Sequence, residues 1–186
     1  MRVIAGRLGG RALVAPAGAA TRPTSDRVRE ALFSILGDVC DADVLDLFAG
    51  TGALGIEALS RGASSATFVE RARAPLRALE QNIERLDIGP RAKVLPMAVE
   101  RALAAMTWGA EAFDVVFLDP PYAEVRDGAF TPPLARAIDR ALAASVRKRG
   151  RVVLEHAKGA TPPAVAGLAI ERTRAYGDTA LSFYLR

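Results

Sequence analysis

A glycine-rich segment has the residue types and spacing of a nucleotide-binding turn. Residues 46–55 read D-L-F-A-G-T-G-A-L-G, in which Gly50, Gly52 and Gly55 are spaced as G-x-G-x-x-G. Glu70 follows twenty residues after Gly50. Glycines at this spacing let the backbone approach a ligand, and a carboxylate at this distance can accept hydrogen bonds from two ribose hydroxyls. The pattern therefore predicts a ligand of the nucleotide type at this turn.

The acid that precedes the glycines narrows the class of ligand. Asp46 lies four residues before Gly50, where its carboxylate would repel a pyrophosphate bound at the start of the next helix. The same carboxylate suits a positive group, or hydroxyl and amine donors. S-adenosylmethionine carries a sulfonium and an ammonium and no phosphate, so Asp46 favours it over NAD. The lack of a second substrate domain also disfavours a nicotinamide dehydrogenase.

A second motif, Asp119-Pro120-Pro121-Tyr122, follows the apolar run F-D-V-V-F-L. The prolines fix the backbone and leave their carbonyls as acceptors. Asp119 and the Pro120 carbonyl can accept both N–H bonds of an amine on a planar ring, and Tyr122 can stack on that ring. Such bonds draw the nitrogen lone pair toward an incoming methyl group. The motif indicates methyl transfer to a base amine, although a Pro-Pro loop with Asp119 as a helix cap remains the simpler alternative.

The elements that must position these motifs alternate between strands and helices. A capped helix is expected from Thr24 or Ser25 to Gly37. Later strands are expected at 43–48, 66–70, 93–96, 113–119, 151–156, 168–176 and 180–186, and later helices at 53–61, 74–86, 100–106 and 134–145. This alternation predicts an α/β fold with a doubly wound, mostly parallel sheet of seven strands, whose final hairpin makes the last strand antiparallel. In such a sheet both motifs follow the carboxyl ends of strands, which face the ligand crevice.

The positive charge of the chain is concentrated near its start. The 186 residues have a net charge of +4, and residues 1–30 hold six arginines and two acids, so that this segment alone carries +4. Localised positive charge is typical of proteins with a polyanionic partner. A solvated segment in an Arg-rich protein is the alternative, since 22 arginines accompany three lysines. We expect residues 1–22 to form a basic N-terminal hairpin or arm and residues 23–186 the main domain.

Composition excludes several classes of protein. With 51% hydrophobic and 25% charged residues, the chain is globular. One cysteine and one histidine rule out a disulfide framework and a His-rich metal site, so no metal is expected. No secretion signal and no apolar run of about 18 residues is seen, which predicts a cytoplasmic protein without a membrane partner. Cys40 is expected to be buried, and His156 to lie at the surface or in a supporting position.

Four segments resemble the bacterial 16S rRNA guanine-N2 methyltransferases of the RsmD type, over nearly the whole chain. They are R-V-I-A-G-R-L-G-G-R at 2–11, R-P-T-S-D-R-V-R-E-A-L-F at 22–33, the glycine-rich segment continued to Gly62, and F-L-D-P-P-Y. The first two are the specific ones, because the other two occur in many methyltransferases. The resemblance implies a class I methyltransferase fold preceded by a small hairpin, with S-adenosylmethionine as cofactor. It further implies methylation of one guanine in 16S rRNA, within the small ribosomal subunit or a late assembly particle, by a monomer.

The resemblance also implies which residues act. The catalytic residues would be Asp119, Pro120, Pro121 and Tyr122. The cofactor would contact Asp46, Phe48, Ala49, Gly50, Thr51, Gly52, Glu70, Arg71, Met97 and Ala98. RNA would contact Arg2, Arg7, Arg11, Arg22, Thr24, Arg27 and Arg29. One position departs from the family pattern: Met97 stands where Asp or Asn usually reaches the adenine amine, so we expect its thioether to pack on the adenine face instead.

Two other functions remain open from the sequence. A DNA adenine-N6 methyltransferase would use D-P-P-Y for the same chemistry, but 186 residues leave no obvious target-recognition domain. A non-catalytic RNA-binding assembly factor would keep the fold, but the intact glycine and D-P-P-Y motifs argue against it. The basic cluster at residues 147–151 fits an RNA contact and a solvated loop equally well.

Overall fold

A computed structural model describes residues 1–16, 25–105, 109–126 and 128–186, apart from the side chains of Tyr122 and Arg126. The chain forms two compact units, Met1–Pro96 and Met97–Arg186. The main sheet is mixed, has seven strands and is accompanied by helices, which confirms the predicted α/β class. No helix in the described ranges is both long enough and apolar enough to cross a membrane.

The first unit alternates helices with parallel strands. Its elements are α1 (Asp26–Leu36), β1 (Asp43–Leu47), α2 (Ala53–Ser60), β2 (Ser65–Val69), α3 (Arg73–Arg85) and β3 (Ala92–Leu95). The strand order is β3-β2-β1, and each neighbouring pair is parallel. Leu47 is level with Val69, and Val69 is level with Leu95. The three strands therefore end at the same height, and the loops that follow them lie at one edge of the sheet.

Residues 1–13, which we call the N-terminal turn, fold back on themselves within this unit. One isolated antiparallel bridge joins Arg2 and Ala12, and Val3 N–H donates to the Arg11 carbonyl at 2.9 Å. The apolar side chains of this turn, Val3, Leu8 and Leu13, are buried. The turn is thus packed into the first unit, and the division at residue 22 stays a prediction.

The second unit holds the remaining elements. They are α4 (Val99–Ala105), β4 (Phe113–Leu118), β5 (Val125–Arg126), β6 (Ala129–Phe130), α5 (Pro132–Ser145), β7 (Val146–Ala157), β8 (Ala169–Tyr176) and β9 (Thr179–Leu185). The strand order is β4-β7-β9-β8; β7 is parallel to β4, and β9 is antiparallel to both of its neighbours. The antiparallel last strand was predicted. The small β5-β6 sheet was not, because two-residue strands leave no periodic pattern.

Strand β7 begins five residues earlier than predicted and contains a bulge. Phe113 pairs with Val146 and Val115 pairs with Arg151, so residues 147–150 are an insertion in β7. The charges of this basic segment are partly neutralised nearby, since Arg147 forms an ion pair with Asp114 and Arg151 lies 3.4 Å from Glu171. Residues 147–150 therefore lie within β7 as a bulge.

Cys40 differs from expectation, and of the two positions expected for His156 the structure excludes the surface. Cys40 is exposed in the loop between α1 and β1, and the neighbouring Asp41 raises the pKa of its thiol. His156 is buried in β7, with Nε2 2.8 Å from Ser182 Oγ and Nδ1 3.0 Å from the Ala157 carbonyl. A carbonyl only accepts, so Nδ1 carries the proton and Nε2 accepts from Ser182. Ser182 Oγ also lies 2.9 Å from Thr173 Oγ1, which can donate to it.

This network makes stability depend on pH through His156. Burial lowers the pKa of His156 below 6.5, so the folded state binds fewer protons than the unfolded state in mildly acid solution. The neutral ring therefore stabilises the fold fully above pH 6.5, and that contribution is lost as the pH falls below it. Urea unfolding of wild type and His156→Gln should give a free-energy difference that shrinks below pH 6.5 and is flat above it. A difference that stays constant with pH would show that the ring is not held neutral.

Candidate functional site

The loop after β1 has an open backbone at its centre. Phe48, Gly50 and Gly52 have φ angles of 68°, 57° and 85°, so left-handed residues alternate along the loop. A Cβ at Gly50 would meet nothing within 4 Å, which leaves the backbone accessible to a ligand. At Gly52, which caps α2, a Cβ would lie 2.5 Å from Leu79 Cδ1. Gly50 therefore leaves room for a ligand beside the backbone, and Gly52 is required because a side chain there would collide with Leu79.

Asp46 lies below this loop and is almost completely buried, with 1% of its surface exposed. Its Oδ2 accepts a hydrogen bond from Gly55 N–H at 3.0 Å, which ties the end of β1 to the first turn of α2. Burial raises the pKa of Asp46 to about 7, helped by the charge of Glu70 and opposed by the Gly55 bond. A positive group nearby would favour the ionised form of Asp46.

Glu70 connects the loops that follow β1 and β2. Its Oε2 accepts from Gly50 N–H at 2.9 Å, and its Oε1 accepts from Ala72 N–H at 2.6 Å. Each carboxylate oxygen has a second lone pair, so Glu70 retains the capacity to accept hydrogen bonds from two hydroxyls. Arg71 is exposed between the two anchored positions. Glu70 is thus suited both to shaping the glycine loop and to contacting a ribose.

Asn82 supports the same loop and was not found from the sequence. Its Nδ2 donates to the Thr51 carbonyl at 3.1 Å, and its Oδ1 accepts from Val14 N–H at 2.7 Å. Ala49 N–H donates to the Val69 carbonyl at 3.0 Å. The first unit therefore brings together the predicted residues Asp46, Phe48, Ala49, Gly50, Thr51, Gly52, Glu70 and Arg71. A single polar residue on an amphipathic helix gives no sequence signal for such a role.

The second unit carries the D-P-P-Y segment directly after β4. Asp119 is half-buried, Pro120 is buried and Pro121 is exposed. The Pro121 carbonyl accepts from Glu124 N–H at 2.8 Å within a 3₁₀ turn, Tyr122–Glu124. The side chain of Tyr122 lies outside the described part of the structure. Met97 and Ala98, which were predicted to contact the cofactor, are partly exposed and precede α4. The Ala98 carbonyl accepts a hydrogen bond from Ala102 N–H at 3.0 Å.

Glu124 joins the D-P-P-Y segment to the start of α5 through two hydrogen bonds with Thr131. Its Oε2 accepts from Thr131 Oγ1 at 2.6 Å, and its carbonyl accepts from Thr131 N–H at 2.9 Å. Thr131 is the N-cap residue of α5. Two hydrogen bonds therefore join the end of the 3₁₀ turn to the N-cap residue of α5. Neither Glu124 nor Thr131 was predicted.

The predicted RNA-binding residues differ in their environments. Arg7, Arg11 and Arg27 are exposed. Arg2 is exposed too, but its Nε lies 3.6 Å from Asp26 Oδ2, which partly neutralises it. Two further members of this set, Arg22 and Thr24, lie outside the described residues.

Arg29 is a correction to the prediction, because it has no exposed surface. Its Nη2 donates to the Arg2 carbonyl at 2.5 Å and to Asp26 Oδ1 at 2.8 Å. Burial lowers the pKa of Arg29, against the opposing charges of Asp26 and Glu57. Its Nε and Nη1 are buried without a hydrogen-bond partner in the described ranges. Arg29 therefore joins α1 to the N-terminal turn and is not placed to touch RNA.

The raised pKa of Asp46 makes a testable prediction for the ligand-free protein. Between about pH 4 and pH 7 the folded state binds a proton at Asp46 that the unfolded state has released, so this contribution to stability is lost as the pH rises. The loss amounts to about 1.4 kcal/mol for each pH unit in that window. Asp46→Asn lacks this titration. In urea unfolding, the wild type should therefore lose stability relative to Asp46→Asn between pH 4 and 7 and run parallel to it above. Parallel curves throughout would contradict the raised pKa.

Comparison with known proteins places this geometry in a family. The family described as conserved hypothetical protein 95 matches residues 1–185. A Bacillus subtilis protein, YlbH, provisionally named an rRNA methyltransferase, is 39% identical over 186 residues, covering 99% of this chain and 98% of that protein. The ribosomal RNA small subunit methyltransferase D of Escherichia coli K12 is 43% identical over 123 residues, covering 66% of this chain and 60% of that enzyme.

Solved structures agree with the sequence relatives. An Escherichia coli structure provisionally named a methyltransferase, yhhF, has a TM-score of 0.82 and 34% identity, covering 100% of this chain and 97% of that chain. A structure described as an S-adenosylmethionine dependent methyltransferase from Mesorhizobium loti has a TM-score of 0.62 at 14% identity, covering 84% and 96% of the two chains, and shares the fold. The chain therefore belongs to the family described as conserved hypothetical protein 95, the RsmD-type methyltransferases that its motifs resemble.

Proposed function

We propose that this methyltransferase transfers a methyl group from S-adenosylmethionine to the exocyclic N2 amine of one guanine in 16S rRNA, within the small ribosomal subunit or a late assembly particle. The observation that carries the proposal is the position of Asp119-Pro120-Pro121 directly after the carboxyl end of β4. The relative that matches nearly the whole chain is provisionally named an rRNA methyltransferase, which supports an rRNA substrate. The enzyme is proposed to act as a monomer.

The loop after β1 has the chemistry that a sulfonium cofactor requires. S-adenosylmethionine, when bound, supplies a methyl group on a positively charged sulfur. The Asp46 carboxylate favours positive groups over phosphates, and the open backbone at Gly50 leaves room for a ligand. Glu70 keeps two lone pairs for ribose hydroxyls while it anchors Gly50. Phe48 would offer apolar surface to the adenine. Met97 stays a proposed adenine contact, since a thioether packs well on aromatic rings.

Asp119 would act by geometry and charge rather than as a strong base. The lone pair of the guanine amine is conjugated with the ring, and a carboxylate with a reference pKa near 3.9 is too weak to deprotonate it beforehand. Asp119 and the Pro120 carbonyl would each accept one amine N–H, which turns the lone pair toward the methyl group. Asp119 then stabilises the positive charge that develops on nitrogen and takes the proton late.

The backbone around Asp119 suits this role because it is held rigidly. Pro120 and Pro121 restrict φ, and the Pro121 carbonyl is already bonded to Glu124 N–H. The closure of Glu124 on Thr131 fixes the far end of the loop. Preorganised acceptors need no reorganisation as the charge develops, which is where most of their catalytic effect arises. Tyr122 is proposed to stack on the flipped guanine.

The direct test is methyl transfer from labelled S-adenosylmethionine to three substrates in parallel: small ribosomal subunits, free 16S rRNA and duplex DNA. We expect label in the subunits, and N2-methylguanosine as the only labelled nucleoside after digestion. N6-methyladenine in DNA would establish the adenine methyltransferase instead. Binding to subunits without any transfer of label would establish a non-catalytic assembly factor.

Replacement of Asp119 by Asn tests the mechanism. The variant keeps the shape of the side chain, but it removes the negative charge and presents a donor where an acceptor is needed. We expect the single-turnover rate to fall on the order of 10²-fold, as for the loss of one preorganised electrostatic group. Affinity for S-adenosylmethionine, measured by calorimetry, should change little.

Asp114→Asn is the matched control, because Asp114 lies on β4 five residues before Asp119 and pairs with Arg147. It makes the same chemical change away from the motif and should leave the rate near that of the wild type. Equal single-turnover rates for Asp119→Asn and Asp114→Asn would show that the D-P-P-Y motif takes no part in the reaction.

A further inference from the structure

The N-terminal turn is held by side chains of α2 that the proposed reaction does not use. Glu57 Oε2 accepts from Ile4 N–H at 2.7 Å, and Glu57 Oε1 accepts from Ala5 N–H at 3.0 Å. Ser60 Oγ accepts from Leu8 N–H at 2.9 Å and donates to the Ala5 carbonyl at 2.5 Å. We call Glu57 and Ser60 the α2 clamp.

The backbone of the clamp takes part as well. Arg7 N–H donates to the Ser60 carbonyl at 2.8 Å. Gly6 lies so close to this carbonyl that a Cβ there would overlap the Ser60 oxygen, and its φ is +77°. Only glycine allows this approach. Side chains and backbone of two α2 residues together pair four N–H groups of the turn, which is far more than loose surface contact provides.

The clamp leaves the positive charge of the turn available. Glu57 is 1% exposed, and Arg61 forms an ion pair with it, with Nε 2.7 Å from Oε1. The buried carboxylate is thus balanced by Arg61 and does not neutralise the arginines of the turn. Arg7 and Arg11 are exposed and form no ion pair with any residue that the structure describes. The apolar side chains of the turn face inward and its two free arginines face outward.

We propose that Glu57 and Ser60 are positioning residues for RNA binding, because they hold the backbone of the N-terminal turn so that the exposed Arg7 and Arg11 are presented from fixed backbone positions to phosphates of the RNA. The inference rests on the proposed function, since it assumes an RNA substrate. Arginines on a held backbone bind phosphates with a smaller loss of conformational entropy than arginines on a flexible arm. The same helix begins at the glycine loop, so one rigid element joins the cofactor loop to the arginine pair.

Two glycine variants provide a matched test. Gly6 and Gly10 have φ of +77° and +82°, so alanine strains the backbone equally at both positions, but a Cβ at Gly10 meets nothing within 4 Å. Only Gly6→Ala should displace the turn from Ser60. Deletion of residues 1–13 is a poorer test, because it would leave the buried Glu57 without two of its partners.

Binding to purified small ribosomal subunits is measured as a function of salt for wild type, Gly6→Ala, Gly10→Ala and the double variant Arg7→Gln/Arg11→Gln. The double variant should flatten the plot of log affinity against log salt by roughly two units of slope. Gly6→Ala should weaken binding on the order of tenfold and flatten the slope in the same direction, whereas Gly10→Ala stays near wild type. Affinity for S-adenosylmethionine should be unchanged in all of them.

The combination of Gly6→Ala with the double variant separates positioning from general damage. If the clamp acts through the arginines, the combined variant binds no more weakly than the double variant. Additive losses, or equal behaviour of Gly6→Ala and Gly10→Ala, would overturn the inference. If Gly6→Ala no longer unfolds cooperatively, Ser60→Ala is measured in its place. This variant loses the hydroxyl of the clamp but keeps the carbonyl that accepts from Arg7 N–H. A salt slope equal to that of the wild type for Ser60→Ala would overturn the inference. Failure of the wild type to bind or methylate subunits would instead overturn the proposed function.

Discussion

Helix α2 is buried over seven of its eight residues, and this burial requires each of its polar groups to find a partner inside the protein. At its start Gly55 N–H binds Asp46, and a Cβ at Gly55 would overlap the ring of Phe68 on β2. At its end Glu57 and Ser60 bind the N-terminal turn. The glycine loop and the N-terminal turn therefore depend on the same short helix. Any change that shifts α2 would alter both.

The arginines show why a count of charges does not define a binding surface. Six arginines give residues 1–30 their net charge of +4, but they have different surroundings. Arg29 is an interior residue, and Arg2 shares its charge with Asp26. Arg7 and Arg11 keep both exposure and charge. Among the described arginines of this segment, the electrostatic field at the surface therefore comes from fewer side chains than the sequence suggests.

Much of the fold could be predicted, because apolar runs and helical periodicity are local properties. Six of the seven strands of the main sheet and the five described α-helices were predicted within two residues of their observed bounds, whereas β7 was predicted to begin five residues too late. Arg29 could have been found as well, since it lies at i, i+3, i+4 and i+7 spacing with the buried Leu32, Phe33 and Leu36. The partners of Glu57 could not, because they lie 52 and 53 residues away in the sequence. The early start of β7 was hidden by its bulge, whose charged residues resemble a loop.

The docking of the N-terminal turn on α2 has a consequence for synthesis of the chain. Residues 4–8 are made more than fifty residues before Glu57 and Ser60, which at typical elongation rates corresponds to about 3 to 10 seconds. During that interval their N–H groups lack the α2 partners that they have in the folded protein, and Val3, Leu8 and Leu13 lack the core that later buries them. The N-terminal turn is thus translated before α2, but it reaches its folded contacts only after α2 has been made.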